Sequence, residues 1–178
     1  MARPPMPYDD FLPQVPSFTV TSTDVADGEP LPNPQVSGIF GAGGEDVSPQ
    51  LAWEGAPEET KSYCVTCYDP DAPTGSGFWH WVLYDIPADV TELPAGAASG
   101  SMDGLPKGAT HVRNDYGSKD FGGAAPPEGH GDHRYVFAVH ALGVDSLPIN
   151  SDVSPAIVGF MATANTLARA VMIPVYGR

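Results

Sequence analysis

HRYVFAVHAL, residues 133–142, is rich in β-branched and aromatic side chains and lies between turn-rich stretches. Such a composition suits a pleated, largely buried surface, so a strand is expected over His133–Leu142. Working outward, Phe78–Ile86 (FWHWVLYDI) is a second long aromatic strand, and Lys61–Asp69 (KSYCVTCYD) holds a third over Tyr63–Tyr68. Shorter alternating runs at Phe18–Ser22 (FTVTS), Leu51–Glu54 and Ala109–Arg113 add further strands. Gly and Pro number 20 each in 178 residues, punctuation that fits many short strands with long ordered loops better than a helical bundle. The expected fold is mainly β, a two-sheet antiparallel β-sandwich with a few peripheral α-helices.

One helix is expected near the C-terminus. Ser154 supplies an N-cap and Pro155 the first helical position. Ile157, Val158, Phe160, Met161, Ala164, Leu167 and Ala168 recur at helical spacing as one apolar face, with Pro174 as a stop. Val171–Tyr176 reads as a last edge strand. Residues 1–17 read as an extended, Pro-rich arm, and 18–178 as one domain, with no internal repeat or dividing linker.

The formal net charge is −14, with only eight Lys and Arg. A nucleic-acid surface needs a basic stripe to displace counterions, so nucleic acid is excluded as a partner, and anionic membrane surfaces are disfavoured. The N-terminus lacks a basic segment followed by an apolar run, and no stretch is long and apolar enough to span a bilayer. A cytoplasmic location is the resulting expectation. Cys64 and Cys67 form a C-x-x-C pair, but three residues apart in a strand their thiols face opposite ways, so inert thiols are expected. Gly41-Ala42-Gly43-Gly44 lacks the Lys-Ser/Thr and the helix of a phosphate loop.

Polar groups collect where three strands end. Asp69-Pro70-Asp71-Ala72-Pro73 holds two carboxylates on a turn stiffened by proline. His80 sits inside Phe78-Trp79-His80-Trp81, and alternation places it on a face with Phe78, Val82 and Tyr84. Gly122-Gly123-Ala124-Ala125-Pro126-Pro127-Glu128-Gly129-His130 leads into His133 and Tyr135, two residues apart and therefore on one side of their strand. Each segment alone is ordinary: an Asx-Pro turn, a core histidine, a loop. Together they can place two carboxylates, two imidazoles and a phenol around one opening. The carboxylates would favour protonated rings, and the rings and the phenol would donate to an oxyanion.

Asp69-Pro70-Asp71-Ala72-Pro73, Gly77-Phe78-Trp79-His80-Trp81 and Pro126-Pro127-x-Gly-His-x-x-His-Arg-Tyr, in this order, resemble the signature of phosphatidylethanolamine-binding proteins, the bacterial Raf-kinase-inhibitor-like branch most of all. The resemblance runs from about Phe18 to Tyr176. It implies the β-sandwich, a pocket at Asp69, Asp71, His80, His133 and Tyr135, and a wall at Gly123, Pro126 and Pro127. Where relatives carry Gly-Pro before that wall, this chain reads Gly123-Ala124-Ala125-Pro126. The C-terminal helix that borders the pocket in eukaryotic relatives has no counterpart before Arg178, so a more open mouth is expected.

The function expected is non-enzymatic: binding of a small anion or phospholipid headgroup, with kinase- or protease-directed partners implied by the family. No cofactor or metal is expected, and a homodimer is. The alternative is a hydrolase or metal-dependent enzyme using His80, His133 and Asp71, with His130 added as a ligand. No zinc-type spacing and no nucleophile elbow supports it.

Overall fold

The computed structural model describes residues 3–178. The strands are β1 (Thr19–Thr21), β2 (Leu51–Glu54), β3 (Ser62–Asp69), β4 (Phe78–Pro87), β5 (Glu92–Leu93), β6 (Thr110–His111), β7 (His133–Arg134), β8 (Val136–Leu142), β9 (Thr166–Met172) and β10 (Val175–Tyr176). The helix α1 spans Pro155–Asn165. Every named strand pairs antiparallel, in three sheets: β6-β4-β3-β8-β9, β1-β2-β5 and β10-β7. The protein is thus mainly β, with three sheets where the sequence suggested two.

The five-stranded sheet is buried on both faces. Tyr63, Val65 and Cys67 of β3 face the β1-β2-β5 sheet and pack with Leu51, Trp53 and Leu93, along with Trp81, Leu83, Phe137 and Val139. Cys64, Val82, Tyr84 and Leu142 point the other way, under Val158 and Ala162 of α1. Burying a side chain such as Leu83 contributes about 1.5–3 kcal/mol, so this double burial holds the sheet. The two thiols lie on opposite faces, free and buried, and burial raises both above the ordinary thiol range, Cys64 to about 12.

Several local expectations need correction. The single strand His133–Leu142 is two strands: β7 pairs with β10, β8 pairs with β3 and β9, and Tyr135 sits at the crossing. The helix stops at Asn165, where Asn165 Nδ2 donates to the Met161 carbonyl and Thr166 Oγ1 to that of Ala162. Leu167 and Ala168 therefore belong to β9. The buried helix face is Pro155, Val158 and Ala162, while Ile157 and Phe160 are exposed. Ser154 caps as expected, its hydroxyl accepting from the Ile157 N–H.

Met1 and Ala2 of the arm lie outside the described residues. From Arg3 onward the arm is not wholly extended: Pro7–Phe11 makes one π-helical turn. It lies on its own chain's five-stranded sheet, with Tyr8 buried near Val136 and Ala138.

Candidate ligand-binding site

A β-bulge aims the central histidine. Cys67 pairs with Trp81 and Tyr68 with Trp79, leaving His80 as the extra residue of β4. Such an insertion resets the alternation of the strand that carries it. Trp79 therefore joins Val82 and Tyr84 under the helix, its ring tilted by 43° against that of Tyr68, and His80 turns the other way. Strict alternation put His80 with Val82 and Tyr84; the bulge separates them and keeps it with Phe78 alone, ring centroids 5.0 Å apart.

Beside this bulge lies a cavity of about 180 Å³. Its chemistry comes from Asp69 at the end of β3, His80, His133 of β7 and Tyr135 at the crossing between β7 and β8, all buried. Pro126 and Pro127 form one wall as expected. Gly123 does not line the cavity but stands behind it. Its N–H donates to Asp46 Oδ1 at 2.7 Å and its carbonyl accepts from the Tyr116 hydroxyl at 2.9 Å. A Cβ there would fall 2.5 Å from the Val36 carbonyl carbon, so glycine is what lets the wall close.

Asp69 is fully occupied. Oδ1 accepts from the N–H groups of Asp71 and Ala72 at 2.8 and 3.1 Å, and Oδ2 accepts from His133 Nδ1 at 2.7 Å. The other ring nitrogen of His133, Nε2, lies 2.9 Å from Nδ1 of the exposed His130. His80 donates from Nδ1 to the Gly122 carbonyl at 2.8 Å, leaving Nε2 for the cavity. Burial pulls the His80 ring below the ordinary imidazole range, an effect partly offset by the Gly122 carbonyl and the Asp69 charge. The Tyr135 ring is 5.1 Å from that of His80. Its hydroxyl is buried and has no hydrogen-bond partner among the described residues, and burial, then the Asp69 charge, raises its pKa far above the ordinary phenol value.

Asp71 has a different role from the one read in the sequence. It is absent from the cavity lining. Oδ1 and Oδ2 accept from Nη2 and Nε of Arg134 at 2.8 Å each, and Oδ2 also accepts from the Arg134 N–H at 2.9 Å. Burial alone would raise this carboxyl, but the Arg134 hydrogen bonds and charge outweigh it and hold the group below the ordinary range. His80, His133 and Asp71 are consequently not brought together as one donor set. Among the described residues no cluster of three metal-ligating side chains is assembled.

Sequence reasoning missed Tyr116 and Phe40. Tyr116 packs edge-on to Phe78 at 4.7 Å and to His80 at 5.6 Å, and Phe40 stands exposed at the mouth, 6.4 Å from Tyr116. Both come from loops. The only local signal was an aromatic next to Gly, as in Tyr116-Gly117 and Phe40-Gly41. The mouth is tied by Arg178, which donates to the carbonyls of Pro126 at 2.7 Å and Phe40 at 3.0 Å.

The chain is similar to known proteins in both sequence and fold. The model that describes phosphatidylethanolamine-binding proteins matches residues 21–177. The chain is 49% identical to the Escherichia coli protein YbcL over 166 residues, 93% of this chain and 91% of that protein. It is 47% identical to Escherichia coli YbhB over 149 residues, 84% and 93% of the two chains. The crystal structure of YbcL superposes with a TM-score of 0.88, over 91% of this chain and 99% of that one. A phosphatidylethanolamine-binding protein homologue from Chlamydia trachomatis superposes with 0.73 at 25% identity, over 91% and 98%.

Proposed function

This chain belongs to the phosphatidylethanolamine-binding protein family, and from that premise we propose that the cavity at His80, His133 and Tyr135 binds a small phosphate-like oxyanion. The oxyanion is carried on a phospholipid headgroup, a phosphorylated small molecule or a phosphopeptide. The observation that carries this reading is the Tyr135 hydroxyl, buried at the cavity and without a hydrogen-bond partner among the described residues. Leaving a buried hydroxyl unpaired costs about 1–3 kcal/mol, and an accepting oxyanion removes that cost. His80 contributes its free Nε2, and His133 the nitrogen now facing His130. A cavity of about 180 Å³ is smaller than pockets that enclose whole drug-sized ligands, so a phospholipid enters by its headgroup alone.

Calorimetric titration with inorganic phosphate, phosphoethanolamine and a phosphopeptide tests this on wild type, His80→Ala and Tyr135→Phe. Affinity is expected to fall about tenfold in Tyr135→Phe, roughly one charge-assisted hydrogen bond, while its stability holds or rises. Equal affinity in all three proteins removes the reading. The peptide arm also tests the kinase- or protease-directed role that the family resemblance implies.

One observation favours the hydrolase alternative. The Asp69–His133 pair has the carboxylate-oriented imidazole of acid–base catalysts. Against it, the outward nitrogen of His133 meets His130, and the Thr74 and Tyr116 hydroxyls at the cavity donate to the carbonyls of Gly77 and Gly123. A phosphatase and esterase panel, with His133→Ala as the blank, decides between the two.

A further inference from the structure

The N-terminal turn and α1 stand side by side on the outer face of the five-stranded sheet, and a second cavity of about 420 Å³ opens between them. That volume lies within the range of small-molecule pockets. Phe11 and Leu12 form one side, Gly159 and Phe160 the other, and Trp79 part of the floor. Among the described residues no Asp, Glu, Lys or Arg lines it, although the chain carries a net charge of −14. Phe11 and Phe160 are largely exposed at its rim, the one from the turn and the other from the helix.

The polar part of the floor has a direction. Arg169 Nε can only donate, so Nδ1 of His140, 3.3 Å away, must accept. The proton of neutral His140 is then on Nε2, which faces the Tyr8 hydroxyl at 3.4 Å. Tyr8 in turn donates toward Thr66 Oγ1 at 3.5 Å. These contacts are long, and the last of them leaves the Thr66 hydroxyl hydrogen with no acceptor among the described residues. Burial keeps the His140 ring neutral down to about pH 3 and the Tyr8 phenol neutral up to about 12.

A second observation is independent of the first. Gly159 sits in the middle of α1, where glycine weakens a helix relative to alanine. A Cβ added there meets nothing within 4 Å, and no positive φ requires glycine. Packing gives no reason for it, and its effect is to keep the cavity wall open.

We propose that this second cavity binds a neutral, mostly apolar small molecule carrying one acceptor oxygen, such as a ketone, ester or ether, which takes the Thr66 proton. The site is separate from the oxyanion cavity and does not depend on it.

Nile red, neutral and bearing a carbonyl, is the probe, and pyrene, which has no acceptor, is its comparison. Wild type is expected to give a saturable one-to-one fluorescence gain with each. Gly159→Leu, which fills the opening and favours the helix, is expected to melt no lower than wild type and to weaken both probes by more than about tenfold. Thr66→Val is expected to weaken Nile red about five- to tenfold and pyrene less than about twofold. Phosphate affinity is expected to be the same in all three proteins. No saturable signal in wild type, or equal affinity in Gly159→Leu, overturns the proposal. So does a wild-type self-association that ignores both probes and is lost in Gly159→Leu, since the cavity would then hold a second copy of the chain.

Discussion

Nδ1 of His133 stands 2.7 Å from Oδ2 of Asp69, with both side chains buried. The carboxylate fixes the tautomer: Nδ1 carries a proton, and any chemistry toward the cavity runs through Nε2. Asp69→Asn reverses that. The amide oxygen still accepts from the Asp71 and Ala72 N–H groups, so its NH₂ faces His133 and makes Nδ1 an acceptor. Loss of one partner of a buried charge-assisted pair is expected to destabilise the fold by about 2–4 kcal/mol. Phosphate affinity is expected to rise, by up to about tenfold, because the neutral ring then carries its N–H on Nε2, facing the cavity, and one negative charge beside the anion is gone. Urea denaturation and calorimetry on this variant measure the two effects separately. An unchanged affinity would disconnect the pair from the ligand.

His80 makes oxyanion binding a proton-linked event. Its Nδ1 is committed to Gly122, so Nε2 donates to a ligand only after the ring gains a proton. Burial holds the free ring below the ordinary imidazole value and a bound anion raises it. Between those two points binding takes up a proton, so affinity falls as pH rises, by up to about tenfold per pH unit. Sulfate, whose own charge is constant in this range, is the suitable probe between pH 6 and 8. His80→Gln, with an amide donor that does not titrate, is expected to flatten the profile. A flat profile in wild type would show that His80 does not donate to the anion.

Asp71 and Arg134 form a bidentate pair beside the cavity, and Arg134 Nη2 also reaches the Pro4 carbonyl at 2.7 Å, holding the N-terminal segment. The expectation follows that Asp71→Asn lowers stability by about 3 kcal/mol yet leaves phosphate affinity within about twofold. Calorimetry on folded variant, with a urea series alongside, checks it. A large loss of affinity in well-folded Asp71→Asn would return Asp71 to the ligand-binding set.

How much of this was legible residue by residue follows from which forces are local. The strands around Cys64, Val82 and Val139 declare themselves by composition, and the cavity residues Asp69, His80, His133 and Tyr135 by carboxylates, imidazoles and a phenol gathered at strand ends. The break at Tyr135 was not legible, because its neighbours all favour strand and the change of sheet is set by Val175 and Tyr176, some forty residues away. The facing of His80 was hidden for a similar reason: a bulge is a mismatch between two strands and has no period within one. The end of α1 was obscured because Ala164, Leu167 and Ala168 continue a helical spacing that β8 overrides by pairing with Thr166–Met172. Asp71 was assigned by chemistry type, while its partner, Arg134, is known only from the fold.

Two buried histidines outside the oxyanion cavity set the acid sensitivity of the fold. His111 accepts from Trp81 Nε1 at 2.9 Å, and burial, partly offset by Asp120, lowers its pKa to about 4. His140 is lowered to about 3 by burial and the Arg169 charge. Unfolded, both return to about 6.5, so below that value the unfolded chain binds more protons than the folded one. The stabilisation is fully present above about pH 6.5 and is lost as pH falls toward about 4 and about 3 respectively. Each ring contributes a slope of about 1.4 kcal/mol per pH unit, or about 2 kcal/mol between pH 6.5 and 5. Asp71, held below the ordinary carboxylate range, adds its loss only at lower pH. Urea denaturation at pH 7 and pH 5 is therefore expected to differ by about 4 kcal/mol from these two rings together. His111→Gln keeps an acceptor for Trp81 but cannot titrate, and is expected to reduce the slope by about 1.4 kcal/mol per unit. Equal slopes in wild type and His111→Gln would mean that the folded protein protonates this ring as readily as the unfolded chain does, which the Trp81 hydrogen bond forbids.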